Sequence, residues 1–215
     1  MIVKCTMCRD GEGLIVGRVY AVIAYDDHGA YKILEEGRYL GNHINRFEVI
    51  HNDRTNYIEI EDNVGEKEYR YHKLSYPTFY SDYYSEDGES VETYKKIVEA
   101  SIEIFSLECS QEELFEFLKN ENSREEHYFI LLSAFFRKAN DEYIKKFSLI
   151  ALNRQLRFDE DLIYVIVSNI EKYKACPEVD DLLTDLYISN TFTDKRVIEF
   201  FDNYANEKWL NDDKR

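Results

Sequence analysis

Residues 2–8 alternate in two sets, Ile2, Lys4 and Thr6 against Val3, Cys5 and Met7, the period-two pattern of a half-buried strand. After a loop at Arg9–Gly13, the run Leu14–Tyr25 predicts a second strand with a bend at Gly17. Ala30–Glu35, Arg38–Leu40 and Phe47–Ile50 predict three more, with turns at Asp26–Gly29 and Glu36-Gly37. Five short strands at this spacing predict a small β-barrel over residues 1–51. Residues 52–88 read as a β-hairpin, Tyr57–Glu61 against Glu68–His72, followed by an aromatic and acidic linker, Tyr76–Gly88.

The pattern changes period after that linker. Tyr94, Ile97/Val98, Ser101/Ile102 and Phe105 recur at helical spacing, as do Leu114 with Phe117/Leu118, and Phe129/Ile130 with Ala134. Ser110-x-x-Glu113 and Ser123-x-x-Glu126 are capping-box patterns, Asn140, Asp159 and Thr193 are further candidate caps, and Pro177 is placed to open a helix. All eight glycines lie at or before Gly88. Glycine costs roughly 1 kcal/mol against alanine inside a helix, so a glycine-free remainder agrees with an all-α domain over 89–215. Helix starts near 123, 141, 159, 178 and 194 recur every 16 to 19 residues. Two helices then span the length of a helix-pair repeat, although no residue signature accompanies the rhythm and a compact bundle fits equally. The fold class expected is α+β: a barrel and hairpin followed by a repeat-like or bundled helical part.

Part of the β pattern has a family likeness. Val3-Lys4-Cys5, then Leu14-x-Val16-Gly17-x-x-Tyr20-x-Val22, an Asp-rich turn and the closing Arg46-Phe47-Glu48-Val49 resemble the small SH3-like barrel domains of Gram-positive bacterial and phage proteins. The resemblance covers about the first 50 residues and implies a β-barrel. It implies no activity, because such barrels host unrelated roles.

Charge narrows the function classes. The 215 residues carry a formal charge of −16. Ten Lys and Arg stand against sixteen Asp and Glu up to Gly88, and seventeen against twenty-seven after it, so both parts are acidic. Direct nucleic-acid binding is disfavoured, since that affinity comes from cations neutralising phosphates. Much of the acid opens helices, as at Glu112-Glu113 and Asp159-Glu160-Asp161, where it complements the helix dipole. A basic protein partner is compatible with the remainder. No apolar stretch approaches a membrane span, and the N-terminal residues lack a charged segment leading into an apolar run, so a cytoplasmic protein with no membrane partner is expected.

Candidate chemistry is sparse. The phosphate-binding, dinucleotide-binding, nucleophile-elbow and zinc-protease motifs are all missing. Cys5-x-x-Cys8 is a single pair without a second pair or well-spaced histidines; ordinary thiols are the leading reading, with metal and redox roles as alternatives. Glu59-x-Glu61-x-Asn63-x-Gly65 lacks the first and last ligands of a calcium loop. No catalytic residue, metal or cofactor is therefore expected. The positive signal is tyrosine density. Tyr80, Asp82, Tyr83, Tyr84, Glu86 and Asp87 are the candidate partner-binding residues, tyrosine supplying amphipathic contact area and the acids suiting a basic partner. The competing reading packs these rings between the β part and the helices.

By composition alone the whole chain resembles bacterial immunity proteins, which are often acidic and motif-free. The resemblance implies a non-catalytic inhibitor that masks a basic toxin. The alternatives are an adaptor or structural interaction protein, a phage-encoded inhibitor of a host nucleic-acid-binding protein, and an enzyme with an unrecognised site.

Overall fold

β1 (Ile2–Cys5) pairs antiparallel with β2 (Val19–Ala21) on one side and with β6 (Phe47–His51) on the other, giving a three-stranded sheet β2-β1-β6. β3 (Ala24–Asp26), β4 (Ala30–Glu35), β5 (Arg38–His43), β7 (Tyr57–Glu61) and β8 (Lys67–Tyr71) form a second antiparallel sheet in the order β5-β4-β3-β8-β7. The computed structural model describes residues 1–8, 13–35, 37–61, 65–86, 88–121, 126–153 and 158–210.

The chain passes between the sheets at Val22-Ile23. Val22 N–H still bonds to the Met1 carbonyl at 3.0 Å, whereas Ile23 N–H bonds to Lys32 and its carbonyl accepts from Tyr71, at 2.8 and 2.9 Å. The run expected as one strand, Leu14–Tyr25, is therefore split, and the strands described make two open sheets and no closed barrel. The first part of that run is not strand. Gly17 takes φ +91° and donates to the Cys5 carbonyl at 2.8 Å, so it forms a tight turn before β2 instead of bending a strand. The turn leaves Ile15 and Val16 exposed. The hairpin β7–β8 forms as expected, pairing Tyr57 with Tyr71 through Glu61 with Lys67. A 3-10 turn, Ile44–Arg46, leads from β5 into β6.

The linker contains structure. α1 (Phe79–Tyr83) is a short helix whose Phe79 is fully buried, and α2 (Gly88–Glu108) follows. Ile97, Ala100, Ile104 and Phe105 recur on the buried face of α2, which lies against β1, β2 and β4. Full burial of one such Ile or Phe side chain contributes about 1.5–3 kcal/mol. α3 (Gln111–Asn120) starts at the expected capping box: Ser110 Oγ accepts from Glu113 N–H at 3.2 Å, and Glu113 Oε2 accepts from Ser110 N–H at 2.8 Å. α4 (Glu126–Lys138) buries Ile130, Leu131, Ala134 and Phe135. Ser123, the other capping-box serine, lies outside the described residues.

The chain divides into two compact units, Met1–Arg137 and Lys138–Arg215. The first holds both sheets and α1 to α4. The second holds α5 (Asp141–Asn153), α6 (Glu160–Ile170), α7 (Pro177–Ser189) and α8 (Lys195–Ala205). Asn140 and Asp159 cap α5 and α6 through side-chain bonds to Tyr143 and Leu162 N–H, and Pro177 opens α7. The cap of α8 is Asp194, one residue beyond the expected Thr193, whose backbone and hydroxyl both donate to Glu160. α5 packs on α7 and α6 on α8, around Phe147, Ile166, Leu183 and Phe201.

Candidate functional site

Arg18 lies between the Gly17 turn and the first residue of β2, and its guanidinium is buried between two carboxylates. Nη1 donates to Glu35 Oε1 at 2.5 Å, and Nη2 donates to Glu121 Oε1 at 3.1 Å. Glu35 ends β4, and Glu121 follows the last turn of α3, so the ion pairs join the two sheets to a helix end. Tyr20 adds its hydroxyl, which bonds to Glu35 and accepts from Ile15 N–H at 3.1 Å. Burial of the ring and the adjacent carboxylate push the Tyr20 phenol well above its ordinary range.

His127, in the first turn of α4, meets the Tyr20 ring at a 49° tilt with 5.5 Å between ring centroids. Its Nε2 is 3.5 Å from Glu121 Oε2, outside hydrogen-bond geometry, and has no hydrogen-bond partner among the described residues. Burial, reinforced by the Arg18 charge, lowers this imidazole to about 3, so it is neutral at ordinary pH. Glu126 Oε2 accepts from Gly37 N–H at 2.9 Å, whereas its buried Oε1 has no partner among the described residues. Burial raises the Glu126 carboxyl, with the Gly37 bond opposing the shift.

These groups line a cleft of about 920 Å³ in the first unit. Its lining carries the carboxylates Glu35, Glu116, Glu121 and Glu126 and the cations Lys4 and Arg18, and Glu116 is also paired with Lys119 at 2.7 Å. Arg18 is taken up internally by Glu35 and Glu121. Exposed Ile15, Val16 and Ile50 form an apolar margin, and Leu34, Phe117 and Leu131 extend the apolar wall inward. The cleft thus joins an apolar wall to spare acceptor capacity, which suits an amphipathic group carrying N–H donors and positive charge. Sequence reading did not select these residues. The available signal was charge inside apolar runs: Arg18 before Val19-Tyr20-Ala21, Glu35 after Ile33-Leu34, and His127 before Tyr128-Phe129-Ile130.

The six candidate tyrosine and acid positions are divided by the fold. Tyr80 is tied inward: its hydroxyl donates to Glu68 Oε2 at 2.5 Å and accepts from Lys32 Nζ at 2.7 Å. The Arg70 guanidinium lies 4.7 Å from the Tyr80 ring and 4.6 Å from that of Phe79. Asp82 accepts from Thr78 Oγ1 at 2.9 Å within the α1 turn. Tyr83 is half-buried and meets Tyr84 edge-on at 5.0 Å, while Tyr84 is 70% exposed and Glu86 is exposed. Asp87 lies outside the described residues. Tyr84 and Glu86 therefore offer surface, and Tyr80 is structural support.

A second cluster joins the end of β6 to the junction of α2 and α3. His51 Nε2 lies 3.1 Å from Glu113 Oε1, and these atoms and the Cys109 thiol all lie within 4.8 Å of one another. Cys5 is buried in the β core with Val3, Tyr20, Val22 and Ile33, and its thiol donates to the Met7 carbonyl at 3.4 Å. Among the described residues no helix is long and apolar enough to cross a membrane. Comparison with protein-family models, with curated proteins and with solved structures finds no match to this chain.

Proposed function

We propose that this chain is a non-catalytic protein-binding inhibitor of the immunity type, which masks a basic partner by receiving one of its Lys or Arg side chains in the Arg18–Glu126 cleft. The observation that carries the reading is the buried Glu126 Oε1, which has no hydrogen-bond partner among the described residues, whereas Glu35 and Glu121 bind Arg18 and Glu116 binds Lys119 at 2.7 Å. A basic side chain is long and partly aliphatic. Its stem matches the Ile15, Val16 and Phe117 wall, and its charged head meets the spare Glu126 oxygen. The net charge of −16 would speed encounter with such a partner. Exposed Tyr84 and Glu86 offer a separate contact surface.

β1 between β2 and β6, the chain crossing sheets at Val22-Ile23, and the 3-10 turn before β6 support an SH3-like arrangement with the β7–β8 hairpin added to it. The layering of α5 on α7 and α6 on α8 supports stacked helix pairs. A second reading, an adaptor with one partner per unit, is favoured by the division into two units with separate cores.

The test is capture of a partner on the tagged full-length chain from its native host. A stoichiometric basic protein released by salt, and held at least about tenfold more weakly by Glu126→Lys or Glu116→Lys, supports inhibition through the cleft. Folded protein that captures nothing, or whose partner is indifferent to both reversals, overturns it. Two partners separable by unit select the adaptor.

A further inference from the structure

We propose that His51, Cys109 and Glu113 form a zinc site, with the fourth position open to water. The three ligand atoms come from separate places in the fold: the last residue of β6, the residue following α2, and the first turn of α3. All lie within 4.8 Å of one another, close enough for one ion to be reached by each through small side-chain adjustments. An imidazole, a thiol and a carboxylate are together the donor set of a borderline-soft ion, and zinc takes all three. Calcium and magnesium, which require oxygen ligands, do not suit the thiol.

The surroundings fit a ligand role. Glu113 Oε1 faces His51, while Oε2 is held by Ser110 N–H and Ser110 Oγ at 2.8 Å each. The carboxylate is thereby oriented by an outer shell, as ligating carboxylates generally are. The capping box thus fixes a helix start and aims a ligand with the same side chain. Cys109 is buried at the back, whereas the His51 and Glu113 side chains are 27% and 39% exposed, which leaves a path for the ion from solvent. Binding balances charge: the Cys109 thiol gives its proton to solvent, and the thiolate and the Glu113 carboxylate neutralise the divalent ion beside a neutral His51. The site is independent of the cleft proposed for partner binding and would brace β6 against the helix junction.

The test uses the full chain, reduced and stripped with a chelator, then titrated with Zn²⁺ against a chromogenic competitor and with Co²⁺ for its thiolate charge-transfer absorption. The proposal expects stoichiometric Zn²⁺ binding, a cobalt–thiolate band that Cys109→Ser abolishes, and affinity lowered more than about 100-fold by His51→Gln. Cys176→Ser, in the other unit, should change nothing. Absence of Zn²⁺ binding by the wild type overturns the proposal, as does a band that survives Cys109→Ser or follows Cys5 and Cys8. Should Cys109→Ser fail to fold, the wild-type cobalt spectrum together with the half-exposed His51→Gln variant decides the outcome.

Discussion

Arg18 Nη1 and Glu35 Oε1 form a 2.5 Å ion pair in which both side chains are almost completely buried. Removing one partner leaves the other as an uncompensated buried charge, which is far more costly than losing both. Arg18→Met should therefore destabilise the chain by about 3–5 kcal/mol, and the Arg18→Met/Glu35→Leu double variant by clearly less than the sum of the single changes. Urea unfolding of the four proteins of this cycle checks the expectation; additive effects would mean the pair is not coupled.

His127 gives the fold a defined acid sensitivity. Its imidazole lies at about 3 in the folded state against 6.5 when unconstrained, so below the higher value the unfolded chain binds a proton that the folded chain refuses. The stability contribution is complete above 6.5, falls as pH drops, and is lost at about 3, with a limiting slope of about 1.4 kcal/mol per pH unit. His127→Gln should flatten that part of the stability profile. A His127 ring whose NMR shifts titrate near pH 6 in the folded protein would contradict the burial argument.

Tyr80 and Tyr84 should respond oppositely to substitution. Tyr80→Phe removes one hydroxyl that both accepts from Lys32 and donates to Glu68, and should cost about 1–2 kcal/mol. Tyr84→Ala, at a side chain 70% exposed, should shift stability by no more than about 0.5 kcal/mol while weakening any partner that uses this surface. Thermal melts measured beside partner affinity separate the two roles.

Ser110→Ala should cost about 1 kcal/mol, because it removes the side-chain acceptor of the α3 capping box. It should also loosen Glu113, so zinc affinity in the proposed site should fall with it. Retention of wild-type zinc affinity in a measurably destabilised Ser110→Ala protein would show that capping and ligand placement are separate.

Local rules alone determined much of this chain. Period-two alternation and turn residues located the β1, β4 and β6 strands and the hairpin, because those signals act between neighbours along the chain. Capping chemistry located the starts of α3, α5 and α6 for the same reason: a Ser, Asn or Asp side chain satisfies a backbone N–H within its own turn. The Gly17 turn, the crossing between sheets at Val22-Ile23 and the continuation of the first unit through α4 required tertiary contacts. The cleft and the His51–Cys109–Glu113 cluster lie furthest from sequence reach. Arg18 meets Glu121 across 103 residues and His51 meets Glu113 across 62, and no local periodicity records which distant charges will share a dry environment. Of the tyrosines, composition could count them, but only packing decided that Tyr80 faces Arg70 while Tyr84 faces solvent. The sequence by itself determined the β1, β4 and β6 strands, the hairpin and the capped helix starts, whose forces are short-ranged; the split of Leu14–Tyr25, α1 and the site arose from burial, which depends on where the whole unit closes over a residue.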